Sequence, residues 1–326
     1  MNFHQLQYAI AIARHGLSVT QAAAALGTSQ PAISRALKAL EKELGFDLFV
    51  REGRAFARIT PEGTRVLEFA GRALAEIESL KAVAADLNQD ARGTLSIATT
   101  HTQARYVLPP VVQAFRKRYP EVDLHLHQGT SEQISEMVAS DRVQLAIATG
   151  SEALFPELVL LPVYRWHRQV IVPKHHPLAR PGNGKLTLAQ LAEFPLVTYV
   201  FSFSGPSSLE TIFAREGLKA RVALTARDSD VIKTYVRLGM GVGIVASVAF
   251  DPREDSDLVM VDASHLFPIH TTWVGFRRGT LLRNFAYEFL QLFGSHLTRR
   301  LVDRAIEARD AESKLSLFSK ISLPVR

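Results

Sequence analysis

The chain has 326 residues, no cysteine, 47% hydrophobic and 21% charged residues, and a formal net charge of +6. That length suggests two or three domains with ample core, and the absence of cysteine excludes disulfides, thiolate metal sites and cysteine catalysis. The charge surplus is local, with seven Lys/Arg against four Asp/Glu in residues 1–60 and again in residues 295–326, which suits a few phosphate contacts better than general polyanion binding. The first residues lack the basic-then-apolar pattern of an export signal, and no apolar run approaches the ~18 residues of a membrane span. A cytoplasmic chain with no membrane partner is therefore expected.

Phe3 to Arg14 reads as a helix with Phe3, Leu6, Ile10 and Ala13 along one stripe. Ser18 to Leu44 then reads as two helices and a tight turn. Val19, Ala22, Ala23 and Leu26 share the face of the first, and Gly27 suits the left-handed position that ends it. Ser29 offers an N-cap oxygen, and Pro31 falls in the first turn, where a missing N–H costs nothing. The second helix should bury Ile33, Leu37, Leu40 and Leu44 and turn Gln30, Ser34, Arg35 and Lys38 outward. Side chains of these types can bond base edges and phosphates, so Ser29, Gln30, Pro31, Ser34, Arg35 and Lys38 form a candidate DNA-reading surface. An ordinary helical hairpin in a core is the competing reading, but the turn chemistry and polar outer face favour a helix-turn-helix. Val50 to Thr60 follows as a two-stranded ribbon turning at Glu52-Gly53. Its Arg51, Arg54 and Arg58 suit a wing that grips backbone phosphate or enters the minor groove.

Thr60-Pro61-Glu62-Gly63 carries the signals of a helix start, and the pattern runs to about Asp90. Val66, Ala70, Ala73, Ile77, Leu80, Ala84 and Leu87 alternate by four and three, a heptad seam that predicts a coiled-coil dimerisation helix. From Thr94 onward strands alternate with helices, the mark of a largely parallel α/β sheet. Crossings placed at Pro162-Val163-Tyr164 and near Leu266-Phe267-Pro268 divide this region into two lobes. The expected organisation is a winged helix-turn-helix over 1–60, a linker helix over 61–91 and an α/β effector domain over 92–294. Its lobe I covers 92–163 and 268–294, its lobe II covers 164–267, and a tail covers 295–326. The tail begins amphipathic at Leu297, Leu301 and Ile306 and ends in a stretch the pattern does not place.

Two lobes joined by two crossings form a clamshell with a ligand cleft. Thr99 to Tyr106 leaves the carboxyl end of a strand and enters a helix, the position where open sheets bind ligands. The hydroxyls of Thr100 and Thr102 and the Gln103 amide are neutral donors that can converge on one small anion. Thr149 ends another strand, and Ser202 and Ser204 lie in a hydroxyl-rich loop of the second lobe. Simple helix capping by the threonines is the competing reading. His125 and His127 share a strand face but gain no third ligand at a recognisable spacing, so no metal site is expected. Gly239-Met240-Gly241-Val242-Gly243 follows a helix instead of preceding one, the wrong order for a dinucleotide loop. No nucleophile elbow is present. No cofactor is expected, and the chain reads as a regulator, not an enzyme.

The whole architecture resembles a LysR-type transcriptional regulator: the Ala22–Leu44 helix pair, Phe49-Val50-Arg51, Thr60-Pro61-Glu62-Gly63 and a two-lobe effector domain similar to periplasmic binding proteins. Within that family, Ala98–Tyr106, Leu126–Gly129, Ala146–Thr149 and Val231–Gly243 are similar to the CysB branch, which controls sulfur assimilation. The resemblance implies a homodimer or homotetramer on double-stranded promoter DNA. It also implies a cleft that takes sulfate, thiosulfate or O- or N-acetylserine, with Thr100, Thr102, Gln103 and Thr149 as contacts. The second-lobe contact of the branch is a threonine, for which Ser204 is the nearest match here. Regulation of organosulfur or sulfonate use, and more remotely a solute-binding role, are the alternatives.

Overall fold

In a computed structural model the protein is described over residues 1–53, 55–87, 92–150, 155, 158–180, 184–203, 208–308 and 316–326. Contacts divide the chain into two units, Met1–Asp90 and Ala91–Arg326, each with its own core. No described helix is long and apolar enough to cross a membrane.

In the first unit, α1 (Phe3–Arg14) starts from an Asn2 side chain that accepts the Gln5 N–H at 3.1 Å, while the Gln5 side chain accepts the Asn2 N–H at 2.8 Å. This reciprocal cap satisfies two backbone donors that a helix start leaves open. Leu6, Ala9, Ala11 and Ile12 of α1 are buried and Ile10 and Ala13 pack partly buried on the same core, so of the expected stripe Phe3 alone departs, at 57% exposed. Ser18 caps α2 (Val19–Ala25), and Ser29 caps α3 (Gln30–Leu44) by accepting the Ala32 N–H. Ile33, Leu37 and Leu40 of α3 are fully buried, as their spacing predicts. The sequence pattern did not reveal that Glu41 is buried too, its carboxylate accepting the Leu48 N–H at 2.8 Å and so fixing the chain that enters the wing.

The wing is β1 (Phe49–Glu52) paired antiparallel with β2 (Ala55–Ile59). Thr60 then caps α4 (Pro61–Leu87), accepting the Gly63 N–H at 2.8 Å and donating to the Asp47 carbonyl at 2.8 Å. A Cβ at Gly63 would lie 2.2 Å from the Leu48 carbonyl oxygen, so the helix reaches the wing root only without a side chain there. The heptad seam of α4 proves to be divided. Of its members, Val66 and Ala70 pack into the first unit's own core, with Leu67 and Leu74 beside them, whereas Leu80 and Leu87 are 70% and 79% exposed. The first half of the seam is thus intramolecular, because α1 lies against it.

The second unit holds two five-stranded sheets among its described residues. Lobe I has the order β4-β3-β5-β12-β6, formed from β3 (Gly93–Thr99), β4 (Val122–Gln128), β5 (Leu145–Thr149), β6 (Leu158–Trp166) and β12 (His270–Arg277). Its covering helices are α5 (Leu108–Arg118), α6 (Ser131–Ala139), α10 (Asn284–Phe293) and α11 (Arg299–Glu307). Lobe II has the order β11-β7-β10-β8-β9, formed from β7 (Arg168–Pro173), β8 (Leu196–Tyr199), β9 (Val222–Ala226), β10 (Val242–Ala246) and β11 (Leu258–Val261), with α7 (Leu188–Ala192), α8 (Leu209–Arg215) and α9 (Ser229–Arg237). In each lobe four strands run one way and one runs against them, β12 in lobe I and β7 in lobe II.

Two expectations need correction. Pro162-Val163-Tyr164 is not a crossing: it lies inside β6, which pairs with β12 out to Trp166–His270. Lobe I therefore continues past 163, and the chain crosses at His167. Pro162 misled because proline is tolerated on an edge strand, and β6 is the edge of its sheet. Residues 295–307 are also no separate tail, since Leu297, Val302 and Ala305 are buried in the lobe I core.

At the crossing, the His270 ring stacks on Trp166 with centroids 4.6 Å apart. Burial, reinforced by the nearby Arg168 and His167 charges, draws the His270 pKa from 6.5 to about 4. A lowered folded-state pKa means the unfolded chain binds the proton first, so stability is complete above about pH 6.5 and declines as pH falls towards 4. The expected loss is roughly 1–2 kcal/mol by about pH 5. Thermal melts between pH 7 and 5 should show this slope in the wild type and a flatter one in His270→Asn.

Candidate functional site

The outer surface of α3 bears the side chains its sequence placed there. Ser29, Gln30, Pro31, Ser34, Arg35 and Lys38 are all exposed. Local bonds already orient two of them: Gln30 donates to the Thr20 hydroxyl, and the Arg35 Nε donates to the Pro31 carbonyl at 3.3 Å. On the wing, Arg58 is exposed, and Arg54 lies outside the described residues. Arg51 is exposed as well but already has partners. Its guanidinium is 3.7 Å from the buried Glu41 carboxylate and 4.7 Å from the centre of the Phe56 ring, which ties the wing to α3.

In the second unit the hydroxyl-rich run after β3 closes into a bonded web. Thr102 precedes a π-helical turn, Gln103–Val107, and its hydroxyl makes no capping bond. It lies instead 3.4 Å from the Ser229 hydroxyl at the start of α9, across the lobes. Ser229 continues to the buried Tyr199 hydroxyl at 2.7 Å, which accepts the Ala246 N–H at 3.1 Å. Helix capping therefore does not account for Thr102. Thr100 stays nearer to that role, since its hydroxyl oxygen lies 3.5 Å from the Gln103 N–H.

Gln103 is the centre of the lobe I side. It is 2% exposed; its Oε1 accepts the Tyr164 hydroxyl at 2.7 Å, and its Nε2 donates to the Thr272 hydroxyl at 3.4 Å. Thr272 in turn lies 3.2 Å from the Thr149 hydroxyl. Tyr164 and Thr272 are register partners on β6 and β12, so one rung of the sheet holds both ends of the amide. With Oε1 occupied by a donor, the second N–H of the amide is what remains to offer. Thr100 and Thr149 are thus linked to Gln103, directly and through Thr272, while the adjoining Thr102 turns to Ser229. Ser202 does not join them: it is buried against Thr198, whose hydroxyl donates to the Ile244 carbonyl. Ser204 lies outside the described residues.

The sequence reading missed Tyr164, Thr272, Tyr199 and Ser229. Tyr164 had been placed at a chain crossing. Thr272 sits in an ordinary-looking strand, and only antiparallel pairing across the sheet brings it to Gln103. The available signal for Ser229 was its position at a helix start facing a cleft.

A second group of bonds joins the lobes beside this web. The Tyr106 hydroxyl donates to Asp230 at 2.6 Å and accepts from Lys233 Nζ at 3.1 Å. Lys233 and Asp255 form a buried pair at 2.5 Å, and Arg237 reaches Asp255 and Asp257 at 2.9 and 2.7 Å. Burial and the bond to Asp230 both raise the Tyr106 pKa, so it remains a neutral donor. Burial alone would raise Asp255, but the bonds and charges of Lys233 and Arg237 hold it below the usual carboxylate value. Removing the lysine would leave the buried Asp255 carboxylate with Arg237 as its remaining cation, a costly loss. The exposed Arg105–Glu254 pair at 2.8 Å contributes little.

His101, Asp228 and Asp230 place ligand-type atoms within 4.8 Å of one another. Asp228 already caps α9 through the Val231 N–H and Asp230 already holds Tyr106, so helix start and lobe contact account for the cluster. His125 and His127 are exposed on β4 and join no such group among the described residues.

Comparisons with known proteins agree with both units. Residues 3–64 match the family described as bacterial regulatory helix-turn-helix protein, lysR family, and residues 88–298 match the LysR substrate binding domain. The chain is 46% identical to the HTH-type transcriptional regulator CysB of Haemophilus influenzae over the full length of both chains. It is 43% identical to the HTH-type transcriptional regulator SsuR of Burkholderia cenocepacia, over 91% of this chain and 96% of that one. Among solved structures, the cofactor-binding domain of the Cbl transcriptional regulator is similar at 43% identity and a TM-score of 0.62, covering 67% of this chain and 94% of that one.

The lobe contact through Tyr106 has a direct check. Tyr106→Phe removes one hydroxyl that both donates to Asp230 and accepts from Lys233, and should destabilise the second unit by about 1–3 kcal/mol. Hydrogen exchange should quicken in residues 103–107 and in α9 while the α3 amides keep their protection.

Proposed function

Because the chain belongs to the LysR family of transcriptional regulators, we propose that it regulates sulfur acquisition, binding promoter DNA through α3 and its wing and answering to a small anion or acetylserine-type metabolite in the interlobe cleft. The genes in view are those of cysteine biosynthesis and sulfate uptake. Candidate effectors are sulfate, thiosulfate and O- or N-acetylserine. The observation that supports the cleft assignment is that the sequence neighbours Thr102 and Gln103 each lie among neutral hydroxyls, Thr102 beside Ser229 and Gln103 beside Thr272 and, through it, Thr149. Neutral, preorganised donors suit a dianion that must also be released. They bind without a counter-charge that would be costly to bury empty. The 46% identity to CysB supports the sulfur assignment. The nearly equal identity to SsuR, at 43%, favours a second possibility, a regulator of organosulfur or sulfonate use.

Thr102 faces Ser229 across the lobes, so an anion seated there would bond both lobes and favour their closed arrangement. A ligand shifts a conformational balance only as far as it binds the two arrangements unequally. The exposed apolar positions of α4, Leu80 and Leu87, support pairing of copies into a cytoplasmic homodimer or homotetramer on DNA. Effector-driven lobe closure would then alter the spacing of the α3 helices. The organisation that goes with this is a DNA-binding domain over 1–60, a dimerisation helix over 61–91 and the effector domain beyond it.

Two substitutions separate the two activities. Thr102→Ala should weaken sulfate or O-acetylserine binding by about tenfold, the cost of one good bond to a charged ligand, and leave promoter affinity without effector unchanged. Unaltered effector affinity would remove Thr102 from the site. Arg35→Ala should weaken promoter binding and flatten its dependence on salt while sparing effector affinity. Fluorescence anisotropy with promoter DNA and calorimetry with the effectors measure the two arms.

A further inference from the structure

The last described stretch, residues 316–326, returns to the sheet that carries Tyr164 and Thr272, the two holders of Gln103. Leu317 and Phe318 pack on the lobe I core. The Arg165 N–H donates to the Pro324 carbonyl at 2.8 Å, the Arg326 N–H donates to the Arg165 carbonyl at 2.9 Å, and Val325 pairs parallel with Arg165. These bonds extend the open edge of β6, a row of backbone groups that would otherwise be unpaired. The Ser247 hydroxyl, just after β10 of lobe II, donates to the Arg326 carbonyl. The segment therefore touches lobe I and lobe II at the crossing.

Its side chain lands on the web. The Arg326 guanidinium lies 4.7 Å from the centre of the Tyr164 ring. The Phe293 ring meets the same tyrosine edge-on at 6.4 Å. Tyr164 is fully buried between these neighbours, and its hydroxyl is the donor that holds the Gln103 Oε1. A primary amide can turn either its oxygen or its nitrogen towards a ligand, and only the nitrogen helps an anion. Whatever fixes the Tyr164 ring thereby fixes which end of Gln103 faces the cleft. A cation over the ring attracts it and makes its hydroxyl a better donor.

We propose that Arg326 is a positioning residue for the effector cleft, acting through Tyr164 to hold the Gln103 amide with its nitrogen towards the ligand. This rests on Gln103 being an anion contact, as argued above. The segment 324–326 is then part of the sensing machinery and not a passive extension. Because Ser247 holds the same residue from lobe II, relative movement of the lobes is felt at Tyr164 as well.

The test uses the full chain with sulfate as probe and two readouts. Arg326→Ala should weaken sulfate binding by about threefold to tenfold, the range a cation–ring contact of this kind supplies, and Arg326→Lys should restore most of it. In a Tyr164→Phe background, which lacks the hydroxyl, Arg326→Ala should have almost no further effect, because the two act in series. The second readout needs no ligand: the side-chain amide resonance of Gln103, identified by its loss in Gln103→Glu, should shift in both Arg326→Ala and Tyr164→Phe. An unmoved Gln103 resonance in Arg326→Ala overturns the proposal, as does an unchanged sulfate affinity with only the melting temperature lowered. If the resonance moves but the wild type binds no sulfate, positioning of Gln103 stands and its assignment as a sulfate contact fails.

Discussion

A buried amide held at one end by a donor and at the other by an acceptor has a single orientation, and Gln103 is held in that way by Tyr164 and Thr272. The two holders face each other on adjacent strands, so the orientation of the amide is a property of the lobe I sheet. Much of the second unit is arranged around this rung. β6 and β12 must run antiparallel at its centre, α10 must supply Phe293 against Tyr164, and Thr272 must reach Thr149 on the next strand. Satisfied polar networks in a dry interior specify one geometry strongly, since each lost bond leaves a costly orphan.

Across the cleft the same logic continues with different atoms. Thr102, Ser229 and Tyr199 carry hydroxyls from lobe I to lobe II, and Tyr106 with Lys233 and Asp255 forms a charged neighbour to that bridge. The hydroxyl bridge is light enough to be remade around a ligand. Of the charged group, Lys233, Asp255 and Arg237 all belong to lobe II, and the Tyr106 hydroxyl is the atom that reaches it from lobe I. In the first unit, Glu41 links α3 to the wing in a comparable way, through the Leu48 N–H and Arg51. α3 and the wing are therefore held together as one piece.

Much of this was legible in the sequence. Ser18, Ser29 and Thr60 cap the helices their positions announced, Gly27 takes the left-handed turn expected of it, and the strand–helix alternation after Thr94 gave the two-lobe architecture. These features depend on neighbours a few residues away. What was hidden depends on partners far along the chain. Thr272 is 169 positions from Gln103, and Ser229 is 127 from Thr102. Tyr164 was concealed by Pro162, whose presence suggested a boundary, and Glu41 by its charge, which argued for an exposed face. The seam of α4 was read correctly as a repeat but not as one divided between its own unit and solvent, because periodicity does not say which partner covers a stripe.

The central claim is that the cleft holds an anion by the neutral nitrogen of Gln103. Gln103→Glu keeps the shape and the oxygen that Tyr164 needs but replaces the donor with a charge of the ligand's own sign. Isothermal titration calorimetry of that variant with sulfate should show affinity reduced by roughly a hundredfold or more, and the ligand-free protein should also melt at a lower temperature, because a carboxylate at this buried position is costly. Sulfate affinity within about threefold of the wild type, a difference too small for loss of a charge-assisted bond, would contradict the account.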